Sequence, residues 1–203
     1  MFKWKANKFL SVIFEFLILF LAVVAVFYIF CNWKALNTII QYKIKISDFT
    51  NPIYLDQEKQ PNHSEDRIII PKINVDAPLI RTENENDLAK QLKRGVIFYP
   101  KSYLPGEKGS VMLIGHSSGI PGEHGAYDTV FSLLSELKKG DLITLQFNQN
   151  KFDYRVFEKK IVQPNLVKQL NFESKSILNL ITCWPIGTSF RRLVVRAYPD
   201  FEL

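Results

Sequence analysis

The chain has 203 residues, 47% hydrophobic and 23% charged, the proportions of a folded protein rather than a disordered one. Its 2 cysteines, Cys31 and Cys183, exclude a disulfide scaffold and a thiolate-rich zinc module. The net charge of +6 is spread evenly: 7 basic against 4 acidic residues in 1–64, and 19 against 16 in 65–203, leave +3 in each part. Neither part has the dense basic stripe that phosphate neutralisation needs, so nucleic acid is not an expected partner.

Residues 1–8 form a short amino-terminal segment carrying Lys3, Lys5 and Lys8. Residues 9–31, FLSVIFEFLILFLAVVAVFYIFC, are apolar apart from Ser11 and Glu15. A helix of that length rises about 35 Å, enough to cross a hydrocarbon core of about 30 Å. A cleaved signal peptide has a shorter apolar run that ends in small residues. This run ends in Phe27-Tyr28-Ile29-Phe30, so an uncleaved signal anchor in the lipid bilayer is expected. Glu15 lies near the amino end, where a charge reaches the interface or pairs with Lys8. Trp4 and Trp33 bracket the span as interfacial aromatics, and only Lys34 follows it closely. The expected topology is single-pass in the cell membrane, with the amino terminus inside and everything beyond the span extracellular.

Residues 32–64 read as an extracellular linker, from an amphipathic-patterned stretch, TIIQYKIKI, into the polar QEKQPNHSED, which includes an unremarkable His63. A catalytic domain is expected over 65–203. Short β-like runs separated by turn signals fill it: 67–70, 77–80, 95–99, 110–115, 142–147, 152–157, 159–164, 177–182 and 192–198. Such runs, with little helix between them, predict an all-β sandwich or closed barrel. Asp87 is placed to start a short helix over 87–92, and Phe131, Leu134 and Leu137 predict a second one, stopped by Gly140.

Three reactive side chains sit at strand ends. His116 follows SVMLIG, Cys183 follows ILNLIT and precedes Pro185, and Arg191 and Arg192 open RLVVRAY. Each alone reads as bland: a loop histidine, a small buried hydrophobe, an edge-blunting cation. Together they supply thiol acyl transfer. An unperturbed thiol, with a pKa of about 8.5, is mostly protonated at neutral pH. A neighbouring imidazolium and guanidinium favour the thiolate, the imidazole protonates a leaving amine, and the guanidinium holds an oxyanion. A lone thiol in an oxidising compartment also calls for a use.

RIIIPKINVDAPLI (67–80), GVIFYPKSYLPGEKGSVMLIGHSS (95–118), VFSLLSELKKGDLITL (130–145) and NLITCWPIGTSFRRLVVRAY (179–198) resemble the sortases, membrane-anchored cysteine transpeptidases of mostly Gram-positive bacteria. The resemblance spans roughly 67–198, with His, Cys and Arg in the family's order. It implies a closed eight-stranded barrel with short helices behind one transmembrane helix, and catalytic roles for His116, Cys183 and an arginine. The family's arginine usually falls nine residues after the cysteine, which selects Arg192 over Arg191. The implied partners are exported proteins bearing a carboxy-terminal sorting motif and an amine from a cell-wall precursor or a pilin. No cofactor is implied.

The family's T-L-x-T-C appears here as Asn179-Leu180-Ile181-Thr182-Cys183, a change expected to alter packing or groove shape rather than chemistry. The loop PKSYLPGEKG carries only Glu107, so no calcium site is expected, and Glu83, Glu85 and Asp87 read as a solvated turn. LPGEKG at 104–109 reads as a turn, and the segment from about Asn165 to Ser176 as a wall of the substrate groove. His124, in GIPGEHGAYD, reads as exposed; a zinc site from His116, His124 and Cys183 lacks paired ligand spacing. The chain closes at Leu203 with no second apolar run, which favours a housekeeping or class D/E-like anchoring role. The rivals are a peptidase of the same fold that uses water as acceptor and a non-catalytic exported binding module. An amidase-type cysteine peptidase fits poorly, because such sites place Cys before His.

Overall fold

Strand β1 (Arg67–Ile70) runs through a 3-10 turn at Pro71–Ile73 into β2 (Val75–Ile80). Asn74, in the left-handed region at φ 52°, closes that turn by donating its N–H to the Pro71 carbonyl. The computed structural model describes residues 2–48, 66–82, 87–100, 102–119, 125–172 and 176–200. Helix α3 (Leu88–Leu92) follows Asp87, whose side chain makes no capping bond. Then come β3 (Val96–Phe98), β4 (Ser110–Ile114), β5 (Leu142–Phe147), β6 (Asn150–Val162), β7 (Ile177–Trp184) and β8 (Arg191–Pro199).

These strands close into a barrel in the order β1-β2-β3-β4-β7-β8-β6-β5. Two neighbours, β2–β3 and β4–β7, are parallel and the rest antiparallel. The barrel interior is filled by alternate residues of every strand, among them Ile68, Leu113, Ile143, Leu178 and Leu180, all fully buried. A second, smaller cluster lies on the other face of the sheet: Met112 of β4, Ile181 of β7 and Val194 of β8, covered by Val167 and Leu170. The covering residues belong to the 3-10 segment Pro164–Phe172, which leads into β7. Burial on both faces explains why β7 is rich in apolar residues at consecutive positions, with Asn179 and Thr182 as its buried polar exceptions.

The structure differs from the sequence expectation in three places. The runs 152–157 and 159–164 merge into one strand, β6, which ends at Val162 and carries a register shift between Val156 and Glu158. A bulge there breaks the alternation that marks a strand in sequence. Phe131, Leu134 and Leu137 lie in turns with a single 3-10 segment, Leu134–Glu136, rather than an α-helix. Their three-residue spacing is the 3-10 period, not the 3.6 of an α-helix.

The third difference concerns the linker expected over 32–64. Residues Trp33–Asp48 form helix α2, which lies against the barrel. Ala35 is buried, and Ile39 and Tyr42 pack on the interior cluster, a stripe at i, i+4 and i+7. Residues 49–65, including His63, lie outside the described residues. Helix α1 (Phe2–Cys31) precedes α2, and its stretch Ser11–Cys31 is long and apolar enough to cross a membrane.

Candidate active site

Strand alternation decides which side chains meet. On β7, Leu178, Leu180 and Trp184 pack toward the interior cluster, whereas Ile181 faces the outer one. Cys183, two residues beyond Ile181, therefore shares the outer face. On β8, Leu193, Val195 and Ala197 point inward and Val194 outward, so Arg192 and Arg196 take the outer face. Cys183 and Arg192 are direct partners across the antiparallel β7–β8 pair, and Arg191 instead stands opposite Trp184. The register thus separates the two adjacent arginines, and Arg192 is the one whose backbone stands opposite Cys183.

His116 leaves the sheet at the same end. On β4, Val111 and Leu113 point inward, while Met112 and Ile114 contact the outer cluster. The parallel β4–β7 register sets Ile114 opposite Ile181, and His116 follows two residues beyond the end of β4, as Cys183 follows two residues beyond Ile181. Two bonds hold that extension in place. The Gly115 N–H donates to the Ile181 carbonyl at 3.1 Å, and the Thr182 hydroxyl donates to the Gly115 carbonyl at 2.8 Å. Strands β7 and β8 thus set Cys183 opposite Arg192, and the segment leaving β4 carries His116 out at the same barrel end, tied to β7 through Gly115.

Gly115 is the hinge of this arrangement. A side chain there would collide with the ring of buried Phe131, whose own N–H donates to the His116 carbonyl at 2.9 Å. The loop after the histidine is thereby anchored on the barrel core. Cys183 is part-buried and free of any disulfide, so its sulfur is not sealed in the core. The Arg192 guanidinium donates to the carbonyls of Ser189 and Arg191, both at 3.0 Å, which folds it over the mouth of the β7–β8 hairpin.

The electrostatics of His116 are mixed. Desolvation by burial is the largest influence and holds its pKa below the ordinary 6.5. The Asp128 carboxylate opposes that shift, and the Lys93 ammonium adds to it. Asp128 is 5% exposed and accepts the Gly125 N–H at 2.6 Å. Sequence reading passes over Asp128, because an acidic residue in a glycine-rich loop looks solvated. Its only signal is a place three residues before Phe131, the anchor of the histidine loop.

The other sequence candidates fall elsewhere. His124, Glu83 and Glu85 lie outside the described residues. The segment expected as a groove wall falls on the 3-10 stretch Pro164–Phe172, whose Val167 and Leu170 pack on the outer cluster, and on residues 173–175, which lie outside the described residues. In the loop before β4, the Leu104 N–H donates to Glu107 Oε2 at 2.8 Å, so that carboxylate serves the turn. Among the described residues no three His, Cys, Asp or Glu side chains converge as a metal site would require. Asn179 is fully buried, and its Oδ1 accepts from Arg196 Nε at 3.3 Å while its Nδ2 has no partner among the described residues.

A closed barrel with a histidine, a cysteine and an arginine on three adjacent strand ends defines a sortase-type architecture. A family model described as a sortase domain matches residues 68–200, and the chain belongs to the sortase family. Sortase D of Bacillus subtilis (strain 168) is 33% identical over 130 residues, which are 62% of this chain and 59% of that protein. Sortase A of Bacillus anthracis is 30% identical over 129 residues, 64% of this chain and 56% of that protein. This chain thus spans less than two thirds of either relative's length. Among solved structures, sortase C-1 from Actinomyces oris superposes with a TM-score of 0.57 at 23% identity, covering 82% of this chain and 99% of that one. A Clostridium perfringens sortase D5 transpeptidase gives 0.56 at 20% identity, covering 79% and 88%. The same organism's sortase C, solved with the carboxy-terminal cell wall sorting motif, gives 0.57 at 24%, covering 82% and 88%. At these identities the structural likeness speaks for the fold.

Proposed function

We propose that the protein is a membrane-anchored cysteine transpeptidase acting on exported proteins. The observation that carries this reading is the pairing of Cys183 with Arg192 across β7 and β8, with His116 leaving the neighbouring strand β4 through a Gly115 bonded to Ile181 and Thr182. The Cys183 thiolate attacks the carbonyl carbon of a peptide bond in a carboxy-terminal sorting motif. Arg192 stabilises the oxyanion, and the C–N bond breaks as the His116 imidazolium gives its proton to the departing amine. A thioester on Cys183 remains. An amine from a cell-wall precursor or a pilin then attacks it, transfers a proton to the imidazole and releases the thiolate as the C–S bond breaks.

Membership of the sortase family supports the chemistry, and a structural neighbour solved with a sorting motif supports the substrate class. The part-buried rather than sealed Cys183 favours a reactive thiol over an inert core residue. The apolar helix, preceded by Lys3, Lys5 and Lys8, supports a single-pass anchor with the barrel outside the cell.

The test is product analysis with sorting-motif peptides, with and without added amines. A transpeptidase joins the acyl fragment to the amine. Hydrolysis at an undiminished rate with no joined product, across a panel of amines, would reduce the protein to a peptidase.

A further inference from the structure

The outer end of the apolar helix touches the catalytic hairpin. Tyr28, inside the apolar stretch Ser11–Cys31, donates its hydroxyl to the Ile186 carbonyl at 2.7 Å. One turn later Asn32 is buried, with its amide donating to the Tyr28 carbonyl at 3.0 Å. Asn32 packs on Gly187, which sits at φ +78° and leaves no room for a side chain. The Gly187 N–H donates in turn to the Ser118 hydroxyl at 3.2 Å, two residues beyond His116. The segment 185–190, which joins Cys183 to Arg192, is therefore held between α1 and the histidine loop.

This contact fixes the height of the hairpin. Tyr28 lies three residues inside the end of the apolar stretch, a rise of about 4.5 Å. With α1 across a bilayer, a carbonyl bonded to Tyr28 lies at the boundary between acyl chains and headgroups. The same hairpin carries Phe190, 74% exposed, followed by exposed Arg191. Trp33, 60% exposed, stands at the same end. An aromatic ring and a cation at this depth match the chemistry of the interface, one for the chain boundary and one for the phosphates.

We propose that the β7–β8 hairpin tip is a lipid-contacting element, with Phe190 seated in the outer interface and Arg191 among headgroup phosphates, so that the site of His116, Cys183 and Arg192 opens at the membrane surface. The occupant is the lipid that already surrounds α1, because the hairpin continues that surface through Tyr28 and Ile186. The proposal rests on reading α1 as a membrane span, and not on the acyl-transfer chemistry.

The experiment uses the full chain with Cys31→Ser and Cys183→Ala, reconstituted in phosphatidylcholine–phosphatidylglycerol vesicles. Single cysteines are introduced as Phe190→Cys, as Ile18→Cys in mid-helix, and as Asn148→Cys in the turn before β6, at the opposite end of the barrel. Each carries an environment-sensitive fluorophore and is challenged with lipids bearing a nitroxide near the headgroup or deep in the acyl chain. The expected result is several-fold stronger quenching by the shallow nitroxide at 190 than at 148, with blue-shifted emission at 190 and deep quenching at 18. A probe at 190 as open to aqueous iodide as the one at 148, while 18 is quenched by lipid, overturns the hairpin proposal alone. A probe at 18 that no lipid quenches overturns the membrane reading as well.

Discussion

Cys183 and Arg192 face one another as direct partners across the β7–β8 pair, on the face of the sheet that also carries Ile181 and Val194. A slip of one residue would turn one of them to the opposite face. The backbone of Arg192 is therefore set opposite Cys183 by strand register, while its guanidinium is held by the Ser189 and Arg191 carbonyls.

The arginine assignment makes a sharp prediction. Arg192→Ala removes the charge beside the reacting carbonyl, and kcat should fall by about 10²–10³, the usual cost of losing one oxyanion donor. Arg192→Lys should recover only part of this, because an ammonium lacks the guanidinium's fork of donors. Arg191→Ala, on the neighbouring position, should leave the single-turnover acylation rate within severalfold of the parent. Equal losses at the two positions would contradict the register assignment.

Much of this site is legible in the sequence, and for a physical reason. Strand ends are marked by the residues that stop strands, so His116 after Gly115 and Cys183 before Pro185 stand out without coordinates. Residue chemistry alone leaves the choice between Arg191 and Arg192 open; the family's spacing points to Arg192, the residue that the register sets opposite Cys183. Hidden features are those set by tertiary contact. Helix α2 reads as a tether because its apolar stripe is thin, three residues that matter only because a barrel lies beside them. The bulge in β6 erases a periodicity that two shorter strands would have kept. Burial of Asp128 depends on chain segments folding over it, and no local pattern announces that.

Asp128 and Lys93 act on the His116 imidazole with opposite signs, which gives a paired prediction. Burial already holds the pKa below 6.5, and the Asp128 carboxylate pulls it back up. Asp128→Asn should lower it further, and Lys93→Gln should raise it, as read by NMR titration of the imidazole. Because acylation uses the imidazolium, the alkaline limb of the pH–rate profile should move to lower pH in the first variant and to higher pH in the second. A loss of rate in Asp128→Asn with no displacement of either curve would assign Asp128 a structural role only. Stability has its own sign. A histidine whose pKa is depressed by folding binds its proton better when unfolded, so its contribution is present above pH 6.5 and is lost as pH falls.

Asn179 offers a stability test. Its buried Nδ2 has no partner among the described residues, and an unsatisfied buried donor costs about 1–3 kcal/mol. Asn179→Thr, the residue usual in related proteins, removes that donor at similar volume and leaves a hydroxyl to accept from Arg196. Denaturant unfolding should show a gain of about 1 kcal/mol with an unchanged m-value. A loss of similar size would mean that the amide is satisfied within the fold.

The most direct test of the thiol's role is the intact mass of the full-length protein after brief mixing with sorting-motif peptides. The expected result is an acyl adduct that maps to Cys183, is cleaved by hydroxylamine as a thioester, and disappears in Cys183→Ala. Undiminished peptide processing by Cys183→Ala, or an adduct mapping to another side chain, would contradict it.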